Sequence, residues 1–127
     1  MWSGEFDSKV LYVQTHGVAD PGRSATPFFL AASAAAMDCE VMIYFTMYGP
    51  TLLQRDVVDK IGPKGDRGQP LRHFIEQATN LGVRLLVCQP SLDLNDLSLD
   101  GLIDGVDMIG GAAFNDLALN ADAVISF

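Results

Sequence analysis

The chain has 127 residues, the size of one compact domain, and 49% of them are hydrophobic, enough to fill a core at that length. Sixteen acidic against eight basic side chains leave a net charge of −8, which argues against a nucleic-acid backbone or an anionic membrane as the main partner. No apolar run approaches the ~20 residues of a membrane span, and the N-terminus has no cationic region leading into an apolar stretch, so no secretory signal is read and the expected compartment is the cytoplasm. Residues 1–8 are expected to be a flexible N-terminus or an expression remnant, with a single domain over 9–127. The two cysteines, Cys39 and Cys88, suit neither a structural disulfide in a reducing compartment nor a zinc site without clustered histidines. They are core filler or reagents, and no metal or other cofactor is expected.

The elements follow from periodicity and breakers. Lys9–Thr15 is a short run of apolar and β-branched residues and reads as the first strand. The segment His16–Arg23 carries two glycines and a proline and reads as a loop. Ser24 or Thr26 is suited to cap a helix with Pro27 in its first turn, running to about Met37 with a broad face of phenylalanine and alanine. Glu40–Phe45 is nearly continuous in apolar character, as a strand covered on both faces should be. A turn at Thr46–Pro50 leads into a short helical piece over Thr51–Val58. Residues 61–68 form the stretch richest in breakers and read as a mobile surface loop, with far too few glycines for a collagen helix. Pro70 opens a helix whose Leu71, Phe74, Ile75, Ala78 and Leu81 share one face, with Gly82 ending it. Val83–Cys88 is the third strand. Pro90 and Ser91 start a further helical turn, a second short helical segment lies near Ser98–Ile103, and Val106–Ile109 is a short strand. Gly111–Leu119 is a helix and Ala123–Phe127 a final strand. Strands alternating with helices predict an α/β protein, a three-layer α/β/α sandwich around a mainly parallel sheet of about five strands.

In such sheets ligands bind beyond the carboxyl ends of the strands, which selects the loops Thr15–Arg23, Thr46–Pro50 and Cys88–Leu92. Cys88 is the strong nucleophile among their side chains. At a strand end, just before Ser91 caps a helical turn, its thiolate would meet unpaired backbone N–H groups and the positive end of a helix. The competing reading is a buried strand cysteine packed as a small hydrophobe, and position alone leaves both open. His16 is a candidate base, a hydrogen-bond donor to an anionic sulfur, or a plain polar loop residue. Cys39 falls at the opposite end of the sheet, where packing is the simpler role. Asp93, Asp96, Asp100, Asp104 and Asp107 have the wrong spacing for a calcium loop and read as a solvated face. Gly17 and Gly22 lack the lysine and hydroxyl residue of a phosphate-binding loop.

Several segments together resemble the DsrE/DsrF-like family, whose members include sulfur-relay proteins and subunits of sulfur-oxidation and tRNA-thiolation systems. These are Thr15-His16-Gly17 with Asp20-Pro21, the run Cys39–Gly49, and above all Leu81–Leu94, followed by Leu102–Val106 and Gly110–Ala113. The resemblance spans about residues 9–127. It implies a cytoplasmic sulfur carrier or sulfurtransferase holding a persulfide or thiosulfonate on Cys88, with sulfur donor and acceptor proteins as partners. It also implies a homo-oligomer, a trimer or hexamer. His16 and Arg23 are then candidates for anion stabilisation, and Tyr48 and Ser91 for lining the substrate pocket. Some members carry a second redox cysteine shortly before the carrier residue; none occupies 80–87 here, which favours passing sulfur outward. The 61–68 loop is more glycine-rich and basic than the family pattern. The alternative function is a structural or regulatory subunit with an inert Cys88.

Overall fold

The computed structural model describes residues 1–127. Five parallel strands, β1 (Lys9–Gln14), β2 (Glu40–Phe45), β3 (Arg84–Cys88), β4 (Val106–Ile109) and β5 (Ala123–Ser126), form one sheet in the order β4-β3-β2-β1-β5. The helices α1 (Thr26–Ala36), α2 (Leu71–Thr79), α3 (Gln89–Leu94) and α4 (Gly111–Asn120) complete the three-layer arrangement expected of alternating strands and helices.

The alternation of side chains along each strand divides the interior in two. On one face Tyr12, Ile43, Phe45, Leu85 and Val87 meet Phe28 and Ala31 of α1 and Leu71, Ile75 and Ala78 of α2, within a cluster of 19 buried residues. The rings of Phe28 and Phe45 lie 5.6 Å apart, and both side chains are wholly buried. Full burial of such a side chain stabilises by about 1.5–3 kcal/mol relative to exposure. On the other face only 7 buried residues cluster, Leu11, Val13, Met42, Tyr44, Leu86 and Cys88 from the sheet with Leu117 from α4. Cys88 sits on this thinner side.

Residues 1–8 form neither helix nor strand, yet they are tied to the domain. The Trp2 indole N–H donates to the Leu117 carbonyl at 3.1 Å, and the Glu40 carboxylate accepts from the Ser3 backbone and hydroxyl.

Three local expectations need correction. The helical piece anticipated over Thr51–Val58 is a 3-10 segment, Gly49–Leu53, because Gln54 turns extended and pairs antiparallel with Leu102. The short helical segment expected near Ser98–Ile103 is present as a 3-10 turn, Leu99–Gly101. Neither Ser24 nor Thr26 caps α1. Ala25 holds the cap position, and the Ser24 hydroxyl instead donates to the Pro21 carbonyl at 2.7 Å. Nor does Ser91 cap α3, since Cys88 itself stands at that helix's N-cap. The 61–68 loop folds back on itself: Gly62 and Gly65 exchange two backbone hydrogen bonds at 2.8 and 2.9 Å.

The loops leaving β1 and β2 are locked together. The Thr46 N–H donates to the Gln14 carbonyl at 3.0 Å and the Tyr48 N–H to the Thr15 carbonyl at 3.1 Å. The Val18 N–H donates to the Thr51 hydroxyl at 3.0 Å. This approach is close enough that a Cβ on Gly49 would strike the Gln14 carbonyl oxygen, and one on Gly17 the Tyr48 carbonyl. Backbone atoms cannot yield as a flexible side chain can. Gly49→Ala is therefore expected to destabilise the fold by about 1–3 kcal/mol, read as a lower urea midpoint at unchanged slope.

Candidate functional site

β3 and β2 pair in parallel with Leu86 opposite Tyr44 and Val87 opposite Phe45. Tyr44 and Cys88 therefore project from the same face of neighbouring strands, and Thr46 follows β2 at the level where β3 ends. This register assembles the site, bringing Tyr44 and Thr46 to a cysteine more than 40 positions further along the chain.

Cys88 is 8% exposed and opens onto a small cleft of about 130 Å³ between Thr46, Met47, Pro90, Ser91 and Leu94. The Cys88 thiol donates to the Ser91 hydroxyl at 3.1 Å, and that hydroxyl donates to the Cys88 carbonyl at 2.8 Å. The Thr46 hydroxyl lies 3.5 Å from the sulfur. The Tyr44 hydroxyl adds to the stabilisation of the sulfur anion, and its ring lies tilted against that of Phe114 of α4 with centroids 4.3 Å apart.

Burial alone would raise the thiol pKa. Hydrogen bonds from the Ser91, Thr46 and Tyr44 hydroxyls and the Ser91 backbone N–H outweigh it, and the thiol is held below its ordinary range. The reciprocal effect falls on Tyr44. Burial first, then its bond to the sulfur and the sulfur's charge, push its hydroxyl well above the ordinary phenol range. Tyr44 therefore remains a proton donor wherever Cys88 is a thiolate. No lysine, arginine or histidine lines the cleft, so the anion is solvated by neutral hydroxyls and one backbone amide. When the thiol ionises, the single Ser91 hydroxyl proton can turn from the carbonyl to the sulfur.

The lip is apolar. Met47 and Leu94 are 52% and 56% exposed, and Met47 adopts a left-handed backbone at φ 56°. A methionine in that region is uncommon and is maintained only by its surroundings. Here the Asn95 amide holds the Met47 carbonyl at 2.8 Å.

The other expected site residues fall elsewhere. His16 Nδ1 lies 3.3 Å from Asp20, Arg23 Nε lies 3.2 Å from the same carboxylate, and the Arg23 guanidinium approaches His16 Nε2 at 3.3 Å. This cluster sits beyond the end of β1, with β2 between it and β3, and neither His16 nor Arg23 lines the Cys88 cleft. Tyr48 is 55% exposed beside the cleft rather than in its wall, and its backbone serves the loop lock. Of these expected partners, Ser91 touches the sulfur. Tyr44 escapes sequence reasoning because it reads as one more apolar strand residue; only its two-residue spacing from Thr46 hints at a shared face. Cys39, at the opposite end of the sheet, is a free thiol like Cys88. No group of three His, Cys, Asp or Glu side chains is arranged to hold a metal ion, and no helix is long and apolar enough to cross a membrane.

Comparison with known proteins places this geometry in context. The DsrE/DsrF-like family matches residues 8–127, and the chain belongs to that family. A relative from Allochromatium vinosum, named sulfur carrier protein DsrE2, is 27% identical over 90% of this chain and 94% of its own length. The fold is similar to the ychN protein from E. coli, with a TM-score of 0.77 at 20% identity over 94% of this chain and 99% of that one. It is also similar to MTH1491 from Methanobacterium thermoautotrophicum, described as of unknown function, with a TM-score of 0.63 at 16% identity over 95% and 100% of the two chains.

The hydrogen bonds around Cys88 make a kinetic prediction. Tyr44→Phe, Thr46→Val and Ser91→Ala should each move the pH midpoint of Cys88 alkylation upward, because a donor to the thiolate is lost while burial remains. A shift of about one pH unit corresponds to about a tenfold slower reaction below the midpoint. His16→Ala should leave the midpoint unchanged. Iodoacetamide rates between pH 6 and pH 10, followed on a Cys39→Ser background, would measure both.

Proposed function

We propose that this chain is a sulfur carrier, with Cys88 as the residue that accepts sulfane sulfur and passes it to a partner protein thiol. The observation that carries the reading is a buried cysteine at a strand end with the Ser91 and Thr46 hydroxyls 3.1 and 3.5 Å from its sulfur and its thiol held below the ordinary range. Family membership and the sulfur-carrier name of the DsrE2 relative support it.

The exchange conserves electrons. Cys88 thiolate attacks the outer sulfur of a donor persulfide, the donor S–S bond breaks, and the donor leaves as a thiolate while Cys88 becomes the persulfide. An acceptor thiolate then attacks that outer sulfur and regenerates Cys88. The hydroxyls that hold the thiolate can hold the persulfide anion or a thiosulfonate oxygen in its place. With Cys39 at the far end of the sheet, Cys88 has no cysteine of its own subunit with which to form a disulfide, which favours release to another molecule. The apolar lip of Met47 and Leu94 suits contact with a partner surface rather than a free aqueous substrate.

A reducing, cytoplasmic setting fits two free thiols. Assembly as a homo-oligomer, a trimer or hexamer, fits the thinly covered face and the exposed Val124 and Ile125 of β5. Light scattering should then return a mass several times the 13.7 kDa of the chain; a monomer at micromolar concentration would remove that part.

Loading is tested directly. After incubation with polysulfide and desalting, intact mass spectrometry should show one-sulfur additions on wild type and on Cys39→Ser, and their loss in Cys88→Ser. Equal loading of Cys88→Ser and wild type would overturn the reading. A Cys88 that neither loads nor alkylates at neutral pH would point instead to a structural or regulatory subunit.

A further inference from the structure

The mouth of the Cys88 cleft has a make-up that the chemistry of the thiol does not require. Its volume of about 130 Å³ is less than half the ~300 Å³ at which small-molecule sites begin, so it has room for one protruding side chain rather than an enclosed organic substrate. Met47, Pro90 and Leu94 line it and are exposed, and Tyr48 stands exposed beside them. Single exposed apolar residues are ordinary on a protein surface, but a group of them around a nucleophile marks a contact surface. The two sides of the mouth are also joined. The Asn95 amide donates to the Met47 carbonyl at 2.8 Å and to the Ser91 carbonyl at 2.6 Å, which ties the loop after β2 to α3. A lip fixed in advance lowers the ordering cost when a partner settles on it.

The charge carried by the segments that build this mouth has one sign. Its residues fall within the stretches 37–54 and 85–127, and neither stretch holds a lysine, an arginine or a histidine. Residues 85–127 hold seven aspartates. Among these, Asp104 and Asp107 face arginines. Asp93 and Asp96 are exposed, follow Cys88 by five and eight positions, bracket Leu94 in the chain and form no ion pair. The Asp93 carboxylate accepts from the neutral Gln89 amide at 2.9 Å, which leaves its charge uncompensated. A second copy docked by this same surface would bring the same two aspartates against it, and like charges disfavour that pairing. A basic partner meets no such cost.

We propose that this mouth is the docking surface for the partner protein, and that it takes a protruding cysteine flanked by an apolar residue, which packs on Met47 and Leu94, and by basic residues, which face Asp93 and Asp96. The proposal rests on the reading of Cys88 as a thiol that exchanges with a partner protein, and it names the chemistry of the partner segment.

Short end-blocked peptides, each with its cysteine joined to thionitrobenzoate through a disulfide, test it on the full chain carrying Cys39→Ser. The Cys88 thiolate attacks the peptide sulfur, a Cys88–peptide disulfide forms, and thionitrobenzoate leaves as the coloured thiolate. The matching probe has two lysines and a leucine beside its cysteine; the comparison probes replace the lysines by glutamates or the leucine by serine. Each rate is divided by that of the same peptide with mercaptoethanol and by the iodoacetamide rate of the same variant. At low ionic strength the matching probe should react about tenfold faster than the glutamate probe, and about 0.5 M salt should remove most of that advantage. Asp93→Asn combined with Asp96→Asn should cut the advantage about fivefold, while Asp116→Asn, on α4 beside Lys9 at the opposite end of the sheet, should leave it intact. Asparagine tolerates the left-handed backbone of position 96, at φ 54°, and circular-dichroism melts would confirm that each variant is folded. Leu94→Ser should erase the preference for leucine over serine. Equal rates for the lysine and glutamate probes, or an equal loss in Asp116→Asn, would overturn the proposal. So would a fall in the light-scattering mass of Leu94→Ser, which would mean that a second copy covers the lip. A Cys88 that iodoacetamide does not label would sink the carrier reading and the docking proposal together; a labelled Cys88 without probe preference would sink the docking proposal alone.

Discussion

A thiolate removed from water must be solvated by the protein, and the organisation around Cys88 meets that constraint. Burial acts against the charge and the hydroxyls act for it, and the net effect holds the thiol below its ordinary range. The donors are neutral, which distinguishes the site from thiols activated by an imidazolium or a guanidinium. A neutral cage stabilises a sulfur anion without adding a proton donor that titrates near neutrality. Such a cage suits a sulfur anion that is kept away from bulk water.

That cage depends on parts far from the sulfur. Tyr44 keeps its place because Phe114 packs under it, so α4 supports the surroundings of Cys88 although it brings no polar group. Thr46 keeps its place because the two loops beyond β1 and β2 are stitched by backbone bonds and by glycines pressed against carbonyls. In that light Thr15, Gly17, Tyr48 and Gly49 act as masonry behind the site. His16, Asp20 and Arg23 close their own polar cluster at its side.

The layered fold is legible in the sequence because buried parallel strands leave an unmistakable record: short, apolar, β-branched runs such as Glu40–Phe45 and Arg84–Cys88 separated by helical periodicity. The 3-10 segments are less legible. Gly49–Leu53 has the composition of a helix start, and what stops it is the pairing of Gln54 with Leu102, a contact across 48 positions that no local pattern encodes. The same limit applies at the site. Cys88 and Ser91 are three residues apart on one turn and can be linked by inspection. Tyr44 reaches the sulfur only through the β2–β3 register, and His16 and Arg23 look equally near until the sheet order interposes a strand. Strand ends narrow the search to three loops but do not say which side chains of those loops face one another.

The sheet order carries one more consequence, for how the chain is made. β1 sits between β2 and β5, so its outer edge is paired by the last strand of the chain, and the Lys9 N–H reaches the Asp122 carboxylate across 113 residues. During synthesis from the N-terminus, β1 through β4 can assemble while that edge is still bare, together with the apolar face that α4 later covers. The nascent protein thus passes through a stage with an unpaired strand beside a greasy surface, the combination that invites wrong pairings. Emergence of the final helix and strand ends that exposure, and it also brings Phe114 under Tyr44. By this order of events, the sulfur site is finished only when the aggregation-prone edge is sealed.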